Sequence, residues 1–204
     1  MVPWPAANSL PALFSDGMHT DFGEAGLFEI GDKVVYPHHG AGTVVKREKR
    51  EVLGQVREYL TIQILHNDMT VNVPCENADR VGLRTVIDQR TVTMVVRTLS
   101  GGSTEMPKNW NRRFKHNRDK MKTGNIFELA EVVRNLAVRN NEKGLSTGEK
   151  QMFVKAKKIL ASELMYAKSM NEEQAAAWLD DVLSRAGQTN SRSKAKPKAA
   201  AASV

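Results

Sequence analysis

One cysteine, Cys75, stands in 204 residues. It excludes an internal disulfide and any zinc site built on clustered cysteines, and so little thiol fits a reducing, cytoplasmic setting. Also missing is any run of about 18 apolar residues, so neither a transmembrane helix nor a membrane partner is expected. The opening stretch MVPWPAANSLPALF has neither the charged lead nor the clean apolar centre of a signal peptide. Phosphate-cradling glycine loops are absent too: Gly40-Ala41-Gly42 follows a turn but lacks a third glycine and a helix behind it. His38-His39 has no Cys/His pair nearby, and adjacent side chains in an extended segment point apart, so no metal is expected. No Ser-His-Asp or Cys-His arrangement can be drawn from spacing, and Cys75, in VPCEN, reads as a small packed residue. The chain is not expected to be an enzyme or to need a cofactor.

What is present is concentrated positive charge. The stretch Pro107 to Lys122, PKNWNRRFKHNRDKMK, holds seven basic residues against one acid, Asp119. That is +6 in a chain whose net charge is +7. From Arg185 to Val204 there are five basic residues and no acid, so the remainder of the chain stands at −4. A slightly acidic body with two basic elements points to nucleic-acid contact, the bland alternative being a solvated face. Asn109 can cap a helix starting at Trp110, and Gly124 can end it after about three turns. Helical spacing then puts Lys115, Arg118 and Lys122 on one face with Arg112 beside them, and Trp110, Phe114 and Met121 on another.

Residues 1–26, rich in Pro, Ala, Gly and Ser, have no period and read as a disordered extension. From residue 27, LFEIGDKVVYP, GAGTVVKREKREVLG, QVREYLTIQILHND and MTVNVP form short β-rich runs separated by turn signals, with Leu60, Ile62 and Ile64 alternating towards a core. Residues 27–82 are therefore expected to form a small SH3-like or Tudor-like barrel, whose function would lie on an open strand edge. Residues 83–187 are expected to be a compact helical domain. It begins with a Val92, Val95, Val96, Leu99 stripe and continues with the basic helix. A helix capped by Asn125 follows and closes at Gly144, then one opened by the Ser146–Glu149 capping box, then one from Asn171 ending at Gly187. Residues 188–204 read as a disordered basic tail. The fold class is thus α+β: a β-barrel, then an all-α domain, with disordered tails. On pattern alone Trp110, Phe114, Met121 and Trp178 all read as core.

Five motifs in order, GDKVVYPHHGAG, REYLTIQI, MTVNVPCENADRVGLR, PKNWNRRFKHNRDKM and GLSTGEKQMF, resemble the CarD/CdnL family of bacterial transcription regulators in its actinobacterial form. The resemblance covers about residues 27–187. It implies a Tudor-like domain that docks on the RNA polymerase β subunit, through residues matching Arg50, Val52 and Asn72. It also implies a helical domain at promoter DNA, at the upstream edge of the melted region. There a tryptophan matching Trp110 would wedge into the minor groove and stabilise the open complex, while Arg112, Arg113, Lys115 and Lys150 grip the backbone. A monomer on polymerase and a cytoplasmic, nucleoid-associated location follow from the same resemblance. Many relatives carry arginine where this chain has Asn72, a charge that Arg50 or Lys49 would have to supply instead. The alternative is an architectural DNA-binding protein that needs no polymerase.

Overall fold

The structure, a computed structural model, describes residues 28–194 apart from 38, 67 and 68, with side chains through 186. The expected extension over residues 1–26 and the end of the basic tail lie outside the described residues. Five strands, β1 (Lys33–Tyr36), β2 (Gly40–Val52), β3 (Gln55–Ile64), β4 (Thr70–Pro74) and β5 (Arg84–Thr85), form one antiparallel sheet in the order β4-β3-β2-β1-β5. The alternation Leu60, Ile62, Ile64 does face inward, where it meets Val34, Val44 and Val73 in a buried cluster. The last strand, β5, pairs with β1 and so carries the sheet past residue 82, where the sequence suggests a boundary.

The β2–β3 hairpin outgrows its sheet. β1 pairs only with Gly40–Thr43 of β2, and β4 pairs only with Tyr59–Gln63 of β3. Beyond these limits Lys49–Val52 and Gln55–Glu58 form a two-stranded ribbon with unpaired edges. Its tip is a two-residue turn, Leu53 at φ 55° and Gly54 at φ 77°, the doubly left-handed geometry that matches strand twist.

Five helices follow: α1 (Gln89–Ser100), α2 (Trp110–Lys122), α3 (Ile126–Lys143), α4 (Thr147–Lys168) and α5 (Glu172–Lys194). The caps are the expected ones. Asn109 accepts from Arg112 N at 3.1 Å, Asn125 from Phe127 N at 2.8 Å and Asn171 from Gln174 N at 2.8 Å, and Ser146 and Glu149 close a capping box. One stop is not where the sequence suggests: α5 runs through Gly187 to Lys194. Glycine lowers helix propensity by about 1 kcal/mol but stops a helix only when its left-handed form is stabilised by a cap, and Pro197 lies further on. Val92, Val95, Leu99 and Met121 enter the helical core, with Val96, Phe114 and Trp178 packed at its margin.

α4 lies directly on the sheet. Ser162 Oγ accepts from Ala41 N at 2.9 Å and donates to Ile159 O at 2.7 Å. Tyr166 meets Thr43 Oγ1 at 2.6 Å and carries Lys33 Nζ 5.0 Å above its ring. The approach is close enough to demand glycine at position 40: φ is +92° there, and a Cβ would come 2.6 Å from Ser162 Oγ. Below this, Glu163, fully buried, takes both Arg84 terminal nitrogens at 2.5 and 2.9 Å. One helix therefore belongs to both cores.

Candidate nucleic-acid and protein interfaces

The basic helix α2 sorts its charges by face. Arg112, Lys115, Arg118 and Lys122 are exposed. Lys120 is half-buried and paired with Glu131 of α3. The inward stripe is Arg113, Asn117 and Met121, four residues apart, rather than the Trp110, Phe114, Met121 stripe suggested by hydrophobicity.

Arg113 is a correction to the sequence reading, which grouped it with the phosphate grips. It is 3% exposed. Its Nε donates to Glu149 Oε1 at 2.6 Å, and Nη1 to the carbonyls of Pro107 and Lys108 at 3.1 and 2.9 Å. With these donors engaged and the side chain inside, it fastens the start of α2 to α4 and is not free to grip a phosphate.

Trp110 sits where the N-termini of α2 and α4 converge. Its indole is 44% exposed. One face stacks on Phe114, with ring centroids 5.3 Å apart and planes at 25°. The benzo edge lies over Gly148, where a Cβ would already touch Trp110 Cζ2 at 3.7 Å. Nε1 donates to Ser146 Oγ at 2.9 Å. Ser146 in turn bonds Glu149 Oε2 through its hydroxyl at 2.9 Å. Burial alone would raise the Glu149 carboxyl, but hydrogen bonds from Arg113 and Ser146 more than reverse this and hold it below the usual carboxylate range. Lys150 is exposed one residue further along α4. Arg139 of α3, absent from the sequence reading, reaches within 3.7 Å of Glu149 and is partly exposed. Its place follows only from how α3 packs on α4. The surface thus offers an aromatic blade between cations and helix N-termini, which suits a polyanion with an openable stack.

On the sheet, antiparallel pairing puts Arg50 opposite Arg57 and Asn72 opposite Thr61. Since side chains alternate, Arg50, Val52, Tyr59 and Asn72 all stand on the face away from the core, whereas Lys49 stands on the other. Arg50, and not Lys49, therefore shares a face with Asn72. It is paired with Glu48 and lies 5.8 Å from the Tyr59 ring centroid. Asn72 accepts from Thr61 Oγ1 at 2.8 Å. Val52, expected from the sequence, is 41% exposed and is joined at the ribbon tip by two residues the sequence did not single out, Leu53 and Val56, at 99 and 68%.

The histidine and cysteine sites are ordinary. His39 stacks on Tyr36 at 5.1 Å, and among the described residues no three metal-ligating side chains gather. Cys75 packs against the barrel core, and burial followed by Glu58 pushes its thiol up, away from a reactive thiolate. Among the described residues no helix is long and apolar enough to cross a membrane.

Comparison with known proteins converges on one family. Residues 28–87 match the CarD-like/TRCF RID domain, and residues 94–180 match the CarD C-terminal domain. YdeB of Bacillus subtilis (strain 168), described as a transcription factor, is 37% identical over 148 residues, covering 72% of this chain and 97% of YdeB.

Proposed function

Because the chain belongs to the CarD family of transcription factors, we propose that it docks on the RNA polymerase β subunit through the outer face and ribbon of its sheet, and holds promoter DNA open with Trp110. The observation that carries this reading is the half-exposed indole at the meeting of two helix N-termini, with Arg112, Lys115 and Lys150 exposed on the same two helices. Unstacking a base step costs a few kcal/mol, which an inserted apolar surface offsets only if it is free to enter. The cations neutralise phosphates on either side and set the register. No side chain here is arranged to read bases, so DNA deformability at the upstream fork sets the preference.

The test is the lifetime of open promoter complexes under competitor challenge. The full chain is expected to lengthen it, and Trp110→Ala to remove about five- to tenfold of that effect while the protein stays folded at the assay temperature, corresponding to about 1–1.4 kcal/mol. Equal lifetimes for parent and variant would rule out the wedge.

The polymerase half has its own test at the ribbon tip. A leucine held at φ 55° carries strain of about 1–2 kcal/mol relative to a residue at ease there. Leu53 is 99% exposed and buries nothing in return. Leu53→Asn suits the turn and is expected to raise stability by about 0.5–1 kcal/mol in urea melts. It is also expected to weaken capture of the β subunit by removing apolar contact area. Undiminished capture would place the contact elsewhere on the sheet.

A further inference from the structure

The indole is held by more than packing. A continuous chain of polar contacts runs from the interior to the blade: Arg113 to Glu149, Glu149 to Ser146, Ser146 to Trp110. Each link does one thing. Arg113 and Glu149 are 3 and 1% exposed and bring α2 and α4 together. Glu149 accepts from both the Ser146 backbone N, at 3.2 Å, and the Ser146 hydroxyl, at 2.9 Å. The hydroxyl proton is thereby committed to the carboxylate, which leaves an oxygen lone pair aimed outward. The indole N–H, a donor with no acceptor capacity, fits that lone pair. A serine whose hydroxyl was free to rotate would offer the indole a donor as often as an acceptor.

We propose that Ser146 is a positioning residue for Trp110, oriented by the buried Arg113–Glu149 pair so that the indole is set edge-out before it meets DNA. This rests on the wedge reading above. Phe114 and Gly148 support the ring from two other sides, Phe114 by stacking and Gly148 by lacking a side chain where the ring lies. Fixing the ring beforehand matters because a free tryptophan loses rotamer entropy on insertion, whereas a braced one has lost it on folding.

Ser146 also caps α4, so the decisive variant must separate the two roles. Glycine is a good N-cap, costing only a few tenths of a kcal/mol relative to serine. It fits the extended backbone at φ −65° and ψ 164°. Ser146→Gly therefore removes the indole's acceptor and spares the helix, and Ser146→Thr restores the hydroxyl. The full chain carrying Trp4→Phe and Trp178→Phe leaves Trp110 as the sole tryptophan, excited selectively at the red edge where tyrosine does not absorb. In that background Ser146→Gly is expected to lower the indole's fluorescence anisotropy and shift its emission, with the protein still folded at the assay temperature although Glu149 loses the hydroxyl's hydrogen bond, and Ser146→Thr close to the parent. Open-complex lifetime is expected to fall about threefold to fivefold in Ser146→Gly, the worth of one neutral hydrogen bond, and to recover in Ser146→Thr. Unchanged indole mobility in Ser146→Gly overturns the proposal whatever the lifetime does. Increased mobility with an unchanged lifetime, while Trp110→Ala still shortens it, also overturns the proposal and leaves the wedge intact. An inert Trp110→Ala instead removes the wedge reading and this proposal with it.

Discussion

Replacing Glu163 by alanine is expected to lower stability by about 3–5 kcal/mol, because it leaves a guanidinium without its partner at the seam between sheet and helices. Glu163 has no exposed surface. Besides the two bonds from Arg84 it accepts from Ile87 N at 3.2 Å. Arg84 also reaches Gly124 O at 3.1 Å. The Arg84–Glu163 pair therefore joins β5, the lead into α1, α4 and the turn between α2 and α3. The Arg84 side chain is 30% exposed, so solvent recovers part of the loss and the lower end of the range is the better figure. Glu163→Gln keeps an acceptor oxygen and the volume, and should lose less. The measurement is a urea melt followed by two probes, one reporting strands and one helices. The parent is expected to unfold in one transition, and Glu163→Ala to separate the two probes as the sheet and bundle part company. A shift under about 0.5 kcal/mol with coincident probes would mean that Ser162, Tyr166 and the apolar contacts hold the seam unaided.

That seam has a functional corollary. From Glu149 to Ser162 is about 20 Å of continuous helix, at about 1.5 Å per residue. The indole's support stands at one end of α4 and the sheet's at the other. In Glu163→Ala, open-complex lifetime is therefore expected to fall further than binding of either partner, because the two grips persist while their separation loosens.

What could be read beforehand, and what could not, divides by the range of the signal. The alternation of Leu60, Ile62 and Ile64, the caps Asn109, Asn125 and Ser146, and the stripe Val92, Val95, Leu99 are local patterns, and each lies where its spacing puts it. The seam is not local. Ala41 and Ser162, Thr43 and Tyr166, and Arg84 and Glu163 are pairs 121, 123 and 79 residues apart, single side chains with no period to betray them. The indole site was half legible. Hydrophobicity alone buries Trp110, and only the surrounding motif suggests exposure. The buried stripe of α2 was hidden because two of its three members, Arg113 and Asn117, are polar. The Glu149 of the capping box is the one clue, since an acid facing a core needs a cation, but its partner lies 36 residues away.

Arg113 supplies the sharpest contrast, since the basic run groups it with Arg112 and Lys115 while packing separates them. Arg113→Ala is expected to cost about 3–5 kcal/mol by stranding Glu149 in the interior. Arg139, 3.7 Å from the same carboxylate, tempers this towards the lower figure. Exposed Arg112→Ala should stay within about 0.5 kcal/mol of the parent in the same melts. DNA binding should show the reverse. Lys115→Ala is expected to reduce the salt slope of affinity by about one unit, and Arg113→Ala, measured below its melting midpoint, to keep the parental slope. The pair also carries a pH signature. The Glu149 carboxyl titrates below its ordinary range in the fold. Its contribution is therefore complete above about pH 4.3, the unperturbed glutamate value, and is lost as pH falls through the depressed folded value. Glu149→Gln should be weaker than the parent at neutral pH, with the gap closing on acidification. A flat gap across that window, or an Arg113→Ala protein as stable as the parent with a shallower salt slope, would return Arg113 to the phosphate-binding face.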